Sequence, residues 1–71
     1  MKLSAVTAAL RKATGDPSVE LARGKGYYYF TNGIADRLSE QGVYGVARLH
    51  DMTTEQWVKT LTDRIAAERL S

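Results

Sequence analysis

The sequence predicts an α+β domain: a three-stranded antiparallel sheet with N- and C-terminal helices packed on one face, in the order α-β-β-(α)-β-α. Three observations lead there. Leu3, Val6, Leu10 and Ala13 recur three and four residues apart, which makes one apolar stripe on a helix. Residues 18–23 alternate apolar and polar positions, and four of the chain's six aromatic residues follow as Tyr27-Tyr28-Tyr29-Phe30 after a Gly-Lys-Gly turn. Near the end, Thr53 and Gln56 stand three residues apart ahead of a second apolar stripe, the spacing of a capping box.

The first helix ends where Gly15 is followed by Asp16-Pro17. Arg11 and Lys12 then sit at its negative end, on a solvated face. Gly24-Lys25 has the Gly-first form of a two-residue type II′ hairpin loop. That loop sets Leu21 opposite Tyr28 and Val19 opposite Phe30 on one face. Ala22 then faces Tyr27, and Glu20 faces Tyr29, on the other. The apolar pairs segregate, so Tyr28 and Phe30 belong to the core while Tyr27 and Tyr29 look outward.

Residues 31–42 fit either a short helix or a long structured loop, with Asn32 as a cap, Ile34 and Leu38 one turn apart, and Gly42 as a terminator. Val43 to Leu49 reads as the third strand. Val43, Gly45, Ala47 and Leu49 are assigned to the core, because the opposite phase would bury Arg48. In the last helix, Met52 and Trp57 form a hydrophobic staple about the Thr53 cap. Trp57, Val58, Leu61, Ile65 and Leu70 make its buried stripe. Glu55–Lys59, Lys59–Asp63 and Arg64–Glu68 are pairs four apart on the solvent side.

The 71 residues make a single domain, residues 1–71, with ordinary apolar and charged fractions of 44% and 25%. Ten basic and eight acidic residues leave a net charge of only +2. No stretch approaches the roughly 20 apolar residues of a membrane span. The opening Met1–Lys12 superficially suggests a secretion signal. Its apolar run contains two hydroxyl residues and stops at Arg11-Lys12 with no cleavage-like segment, so a cytoplasmic protein is expected. The absence of cysteine fits a reducing compartment.

Catalysis is not expected. The one histidine, His50, adjoins Asp51, and neighbours on an extended chain point apart. The serines at 4, 18, 39 and 71 sit in no nucleophile motif, and Gly24-Lys25-Gly26 lacks the phosphate-loop pattern. The acidic residues have no metal-ligand spacing. No cofactor, metal or small-molecule substrate is implied.

What remains is a surface. On the phase given above, Tyr27, Tyr29 and Tyr44 share the open face of the sheet, with Arg48 alongside and Arg23 and Lys25 at the turn. Tyrosine offers large contact area at low entropic cost, so the first reading is a protein partner, a second copy included. The alternative is a single-stranded nucleic acid whose bases stack on Tyr27 and Tyr29, with phosphates near the flanking cations. Glu20 beside Tyr29 opposes the alternative. A third reading has the rings simply shield the sheet.

Lys25-Gly26-Tyr27-Tyr28-Tyr29 resembles the sheet motif of RNA-recognition-motif domains, which implies base stacking on Tyr27 and Tyr29. Tyr28 stands where that family has a small residue, Asn32 where it has an aromatic, and no N-terminal strand precedes. The helix-sheet-helix order also resembles double-stranded-RNA-binding domains, but Thr54-Glu55-Gln56 replaces their lysine cluster. Finally, the Gly24–Phe30 segment, Val43-Tyr44 and Asp51–Trp57 together resemble small uncharacterised phage and prophage proteins, across about half of the chain. That resemblance implies a mobile-element accessory protein and assigns no functional residue.

Overall fold

A computed structural model describes residues 1–70. Helix α1 (Leu3–Thr14) leads into strands β1 (Glu20–Arg23) and β2 (Tyr28–Thr31), a 3-10 helix (Gly33–Arg37) and strand β3 (Gly42–Val43). A 3-10 turn (Leu49–Asp51) then precedes helix α2 (Thr54–Leu70). The strands form one antiparallel sheet in the order β1-β2-β3. The fold is the α+β arrangement that the sequence predicts.

Val6 and Leu10 of α1 are fully buried and Leu3 packs against the core, whereas Ala13, one turn beyond Leu10, is exposed. Gly15 ends the helix at φ +73°, and its N–H donates to the Arg11 carbonyl at 2.9 Å. Only a residue without Cβ takes that backbone shape at no cost. Arg11 does more than face solvent. Its Nε donates to the Val19 carbonyl (2.9 Å) and its Nη2 to Glu20 Oε1 (3.1 Å), tying the end of α1 to the start of the sheet.

The hairpin keeps the predicted faces but not the predicted partners. Leu21 pairs with Phe30, Ala22 with Tyr29 and Arg23 with Tyr28, two residues away from the expected register. The loop spans Gly24 to Tyr27, closed by the Gly24 N–H donating to the Tyr27 carbonyl at 2.8 Å, and Gly26 rather than Gly24 takes a positive φ of +79°. A shift of two residues preserves alternation. Val19, Leu21, Tyr28 and Phe30 therefore all lie in the core.

Asp16 staples the next segment. Its carboxylate accepts the Ser18 N–H (2.8 Å) on one oxygen and the Ile34 N–H (2.7 Å) on the other. The link holds the α1–β1 connection against the 3-10 helix. Ala35 and Leu38 of this region are buried and Ile34 is half-buried. Asn32 does not cap through its side chain; its N–H instead donates to Asp36 Oδ1 at 2.9 Å. Gly42 opens β3 rather than ending a helix.

The third strand is far shorter than expected. Pairing stops at Val43, and Gly45 at φ +83° turns the chain out of extended geometry. Strict alternation ends there, so Gly45 and Ala47 are exposed while Val46 packs on the core. Val43 and Leu49 do lie inward, as predicted.

Helix α2 starts as the sequence predicts. The Thr53 N–H donates to Gln56 Oε1 (2.8 Å), and the Gln56 N–H donates to Thr53 Oγ1 (3.1 Å). Trp57 is fully buried, edge-on to Tyr28 at 5.4 Å and to Phe30 at 6.4 Å, and its indole N–H donates to the Leu49 carbonyl at 3.0 Å. Leu61 is buried, while Val58, Ile65 and Met52 pack on the core from its margin. Leu70 leaves the predicted stripe and is 88% exposed. Lys59 pairs with Asp63 at 2.9 Å, and the Arg64 guanidinium lies over the Phe30 ring at 5.6 Å.

Two outcomes follow from this packing. Trp57→Ala should lower stability by about 3–5 kcal/mol, read from urea unfolding, since it empties the centre of the core and strands the Leu49 carbonyl. Hydrogen bonds from the Ser18 and Ile34 N–H groups hold the Asp16 carboxyl below its ordinary 3.8. Its contribution is therefore full above that value and is lost as pH falls through the folded-state pKa. Urea midpoints taken from about pH 6 to pH 2 should fall less steeply in Asp16→Asn than in the wild type.

Candidate functional site

Alternation along β2 that sends Tyr28 and Phe30 onto Trp57 sends Tyr29 to the opposite face of the sheet. Tyr27, in the β1–β2 loop, and Tyr44, directly after β3, join it there. The Tyr27 and Tyr44 rings stack at 5.1 Å between centroids with 27° between planes, and Tyr27 meets Tyr29 at 5.9 Å with a 38° tilt. Three phenols thus form one continuous band across the sheet. Tyr44 is 70% exposed, while Tyr27 and Tyr29 are half-buried.

Two glycines seat the band. A Cβ on Gly24 would come within 2.5 Å of the Tyr27 ring, and one on Gly42 within 2.5 Å of the Tyr44 ring. The rings therefore lie directly on backbone, in space that any side chain would fill. Gly24 serves the tyrosine above it rather than the turn, since Gly26 supplies the left-handed residue.

Beside the rings a shallow depression is walled by Ser39, Glu40 and Gln41. This wall is fixed from behind. The Ser39 N–H donates to Glu68 Oε1 (2.8 Å), Arg64 Nη1 to the Glu40 carbonyl (3.3 Å), and Gln41 Nε2 to the Ala35 carbonyl (2.8 Å). Hydrogen bonds from the Ser39 hydroxyl and N–H hold the Glu68 carboxyl below its ordinary value. The face is thus aromatic with polar edges, and Glu40 lines it.

Of the six surface residues expected from sequence, the structure brings Tyr27, Tyr29 and Tyr44 into contact. Lys25 is exposed in the adjoining loop. Arg23 and Arg48 lie elsewhere: they line a separate depression with Tyr28, Leu49 and His50. Arg23 shares its strand face with Leu21, and Arg48 follows the break at Gly45, which removes it from the phase of Tyr44. Glu20, expected to place a carboxylate beside Tyr29, is engaged by Arg11. Sequence reasoning missed Gly24 and Gly42 as ring seats and Glu40 as a neighbour. Gly-x-Tyr at 42–44 was the available signal for one seat, because residues two apart on a strand share a face.

Among the described residues, no group of three or more His, Cys, Asp or Glu side chains is arranged to hold a metal ion. No helix among them is long and apolar enough to cross a membrane. No family model matches the chain, and neither a curated protein nor a solved structure is found similar to it.

The seating of Tyr44 can be checked directly. Gly42→Ala should push the ring off β3 and out of its stack with Tyr27. Its ring-proton resonances should then move toward free-tyrosine positions, with the amide spectrum outside residues 27–29 and 42–44 unchanged. Unchanged Tyr44 ring shifts would contradict the seat.

Proposed function

We propose that this protein is a non-catalytic protein-contact module of the cytoplasm, which engages its partner through the Tyr27–Tyr29–Tyr44 band and pairs in the first instance with a second copy of itself. The observation that carries this reading is the band: three phenol rings joined through Tyr27 on a sheet face that neither helix covers. Rings already stacked and seated on glycine lose little freedom when a partner arrives, which lowers the ordering cost of association. Tyrosine combines apolar faces with a hydroxyl rim and is enriched in contact centres.

Electrostatics favours protein over nucleic acid as the partner. Of the three cations expected around the rings, only Lys25 remains in an adjoining segment, while Glu40 lines the same depression. A phosphate chain laid along the band would meet that carboxylate with little compensating charge. The likeness of the Gly24–Phe30 and Asp51–Trp57 segments to phage and prophage proteins suits an accessory module of this kind.

Size-exclusion chromatography with light scattering, run from micromolar to millimolar protein, tests the reading. The mass should rise toward that of a dimer with concentration. Tyr27→Ala combined with Tyr44→Ala should hold it at the monomer with an unchanged circular-dichroism spectrum. A monomer throughout, with salt-sensitive binding of a mixed single-stranded oligonucleotide that Tyr29→Ala weakens, would assign the face to nucleic acid instead. A monomer that binds no oligonucleotide would overturn self-pairing.

A further inference from the structure

We propose that Arg23, Arg48, His50 and the hydroxyl of Tyr28 form a binding site for a phosphoryl group, separate from the tyrosine band. Four stretches of chain converge to build it. Arg23 ends β1 and Tyr28 begins β2 as its direct cross-strand partner. Arg48, Leu49 and His50 come from the segment entering α2, and Leu3 comes from the first turn of α1. All six line one depression.

Its charge is one-sided. No carboxylate lines the depression, and none of Arg23, Arg48 and His50 takes part in an ion pair among the described residues. The nearest acidic residue in sequence, Asp51, spends Oδ2 on the Arg48 N–H at 3.2 Å, which closes the 3-10 turn. Of the four other arginines two are partnered, while Arg37 and Arg69 make no ion pair among the described residues. Arg11 holds Glu20 and the Val19 carbonyl, and Arg64 holds the Glu40 carbonyl and the face of Phe30. Two guanidiniums share the depression with the His50 ring and no carboxylate lining it, and an anion between the guanidiniums gains from both.

Tyr28 supplies the independent observation. It is only 3% exposed, its ring is packed edge-on against Trp57, and it lines the depression. Its hydroxyl nevertheless makes no hydrogen bond among the described residues, although none of their polar side-chain atoms is sealed away from solvent unpaired. The phenol oxygen therefore opens into the depression from a fixed ring, as a donor awaiting an acceptor. Leu49 is equally fixed, because its carbonyl accepts the Trp57 indole N–H.

The donor set selects the ligand class. Two forked guanidiniums, an imidazole and a phenol offer more donors, in more directions, than the two oxygens of a carboxylate can use. A tetrahedral phosphoryl group with three terminal oxygens matches them, and Arg forks suit it in particular. Leu3 and Leu49 add apolar wall beside these donors.

Titration with sodium phosphate against sodium chloride at matched ionic strength, followed by amide and His50 ring resonances, tests the site. Phosphate should shift the residues of the depression saturably, and chloride should not. Arg23→Gln and Arg48→Gln, both at exposed positions, should each weaken phosphate binding about tenfold, the loss expected of one charge-assisted hydrogen bond. Tyr28→Phe should weaken it several-fold while leaving the melting temperature unchanged. Phosphoserine and a nucleoside 5′-monophosphate distinguish the source: whichever binds more tightly than inorganic phosphate identifies what carries the group. Equal affinity for all three assigns the site to the phosphoryl group alone. Shifts that chloride reproduces, or phosphate affinity indifferent to all three substitutions, overturn the proposal. Tyr29→Ala, on the opposite sheet face, should bind phosphate as the wild type does, so this site and the tyrosine band stand or fall separately.

Discussion

Trp57 decides which way the aromatic strand faces. Its indole occupies the centre of the core, meets Tyr28 and Phe30 edge-on, and spends its N–H on the Leu49 carbonyl. Large aromatic side chains bury about 150–250 Å² each, or roughly 4–6 kcal/mol of gross transfer energy apiece. A small domain has little net stability to set against the loss of even one such residue. Sliding β2 by a single position would bring Phe30 into water and carry Tyr29 inward. That one packing preference fixes the phase of β2 and thereby places Tyr27 and Tyr29 on the far side. The outward face is a consequence of the inward one.

Parity along the hairpin was legible for the same reason. Burial energy acts on every second residue, so a register moved by two leaves each side chain on its own face. The register itself was not legible, because Gly24 and Gly26 are both free to take positive φ. What separates them is the Tyr27 ring lying on Gly24, a contact between residues three apart that no local turn preference encodes. The capping box at Thr53 and Gln56 was readable because both hydrogen bonds are local. The third strand was misread because Val43 to Leu49 alternates in composition, while Gly45 breaks the backbone after two paired residues. Arg48 then lost its predicted place beside Tyr44.

The displacement of Arg48 changes the chemistry of the whole surface. A single mixed patch of rings and cations becomes two patches on opposite sides of the sheet. The aromatic band keeps Lys25 and gains Glu40, whereas the arginines gather with His50 where Tyr28 opens its hydroxyl. A ligand large enough to touch both would have to wrap the edge of the sheet. On the two proposals each patch suits its own partner chemistry: apolar area with a polar rim in one case, anionic charge in the other.

On the proposed reading of the band, shielding and recognition arise from one geometry. Gly24, just past the end of β1, and Gly42, in β3, leave the backbone without side chains at two points, and unshielded backbone there would be open to competing water. The Tyr27 and Tyr44 rings cover those points, which accounts for their inner faces. It does not account for the outer ones. A ring lying on glycine keeps its other side turned away from the backbone, and stacking at 5.1 Å joins Tyr27 to Tyr44 there. Shielding alone would be served by aliphatic side chains on the strands themselves. Large rings reaching across from neighbouring segments build a broad, pre-ordered apolar area instead, and that is the form a contact surface needs.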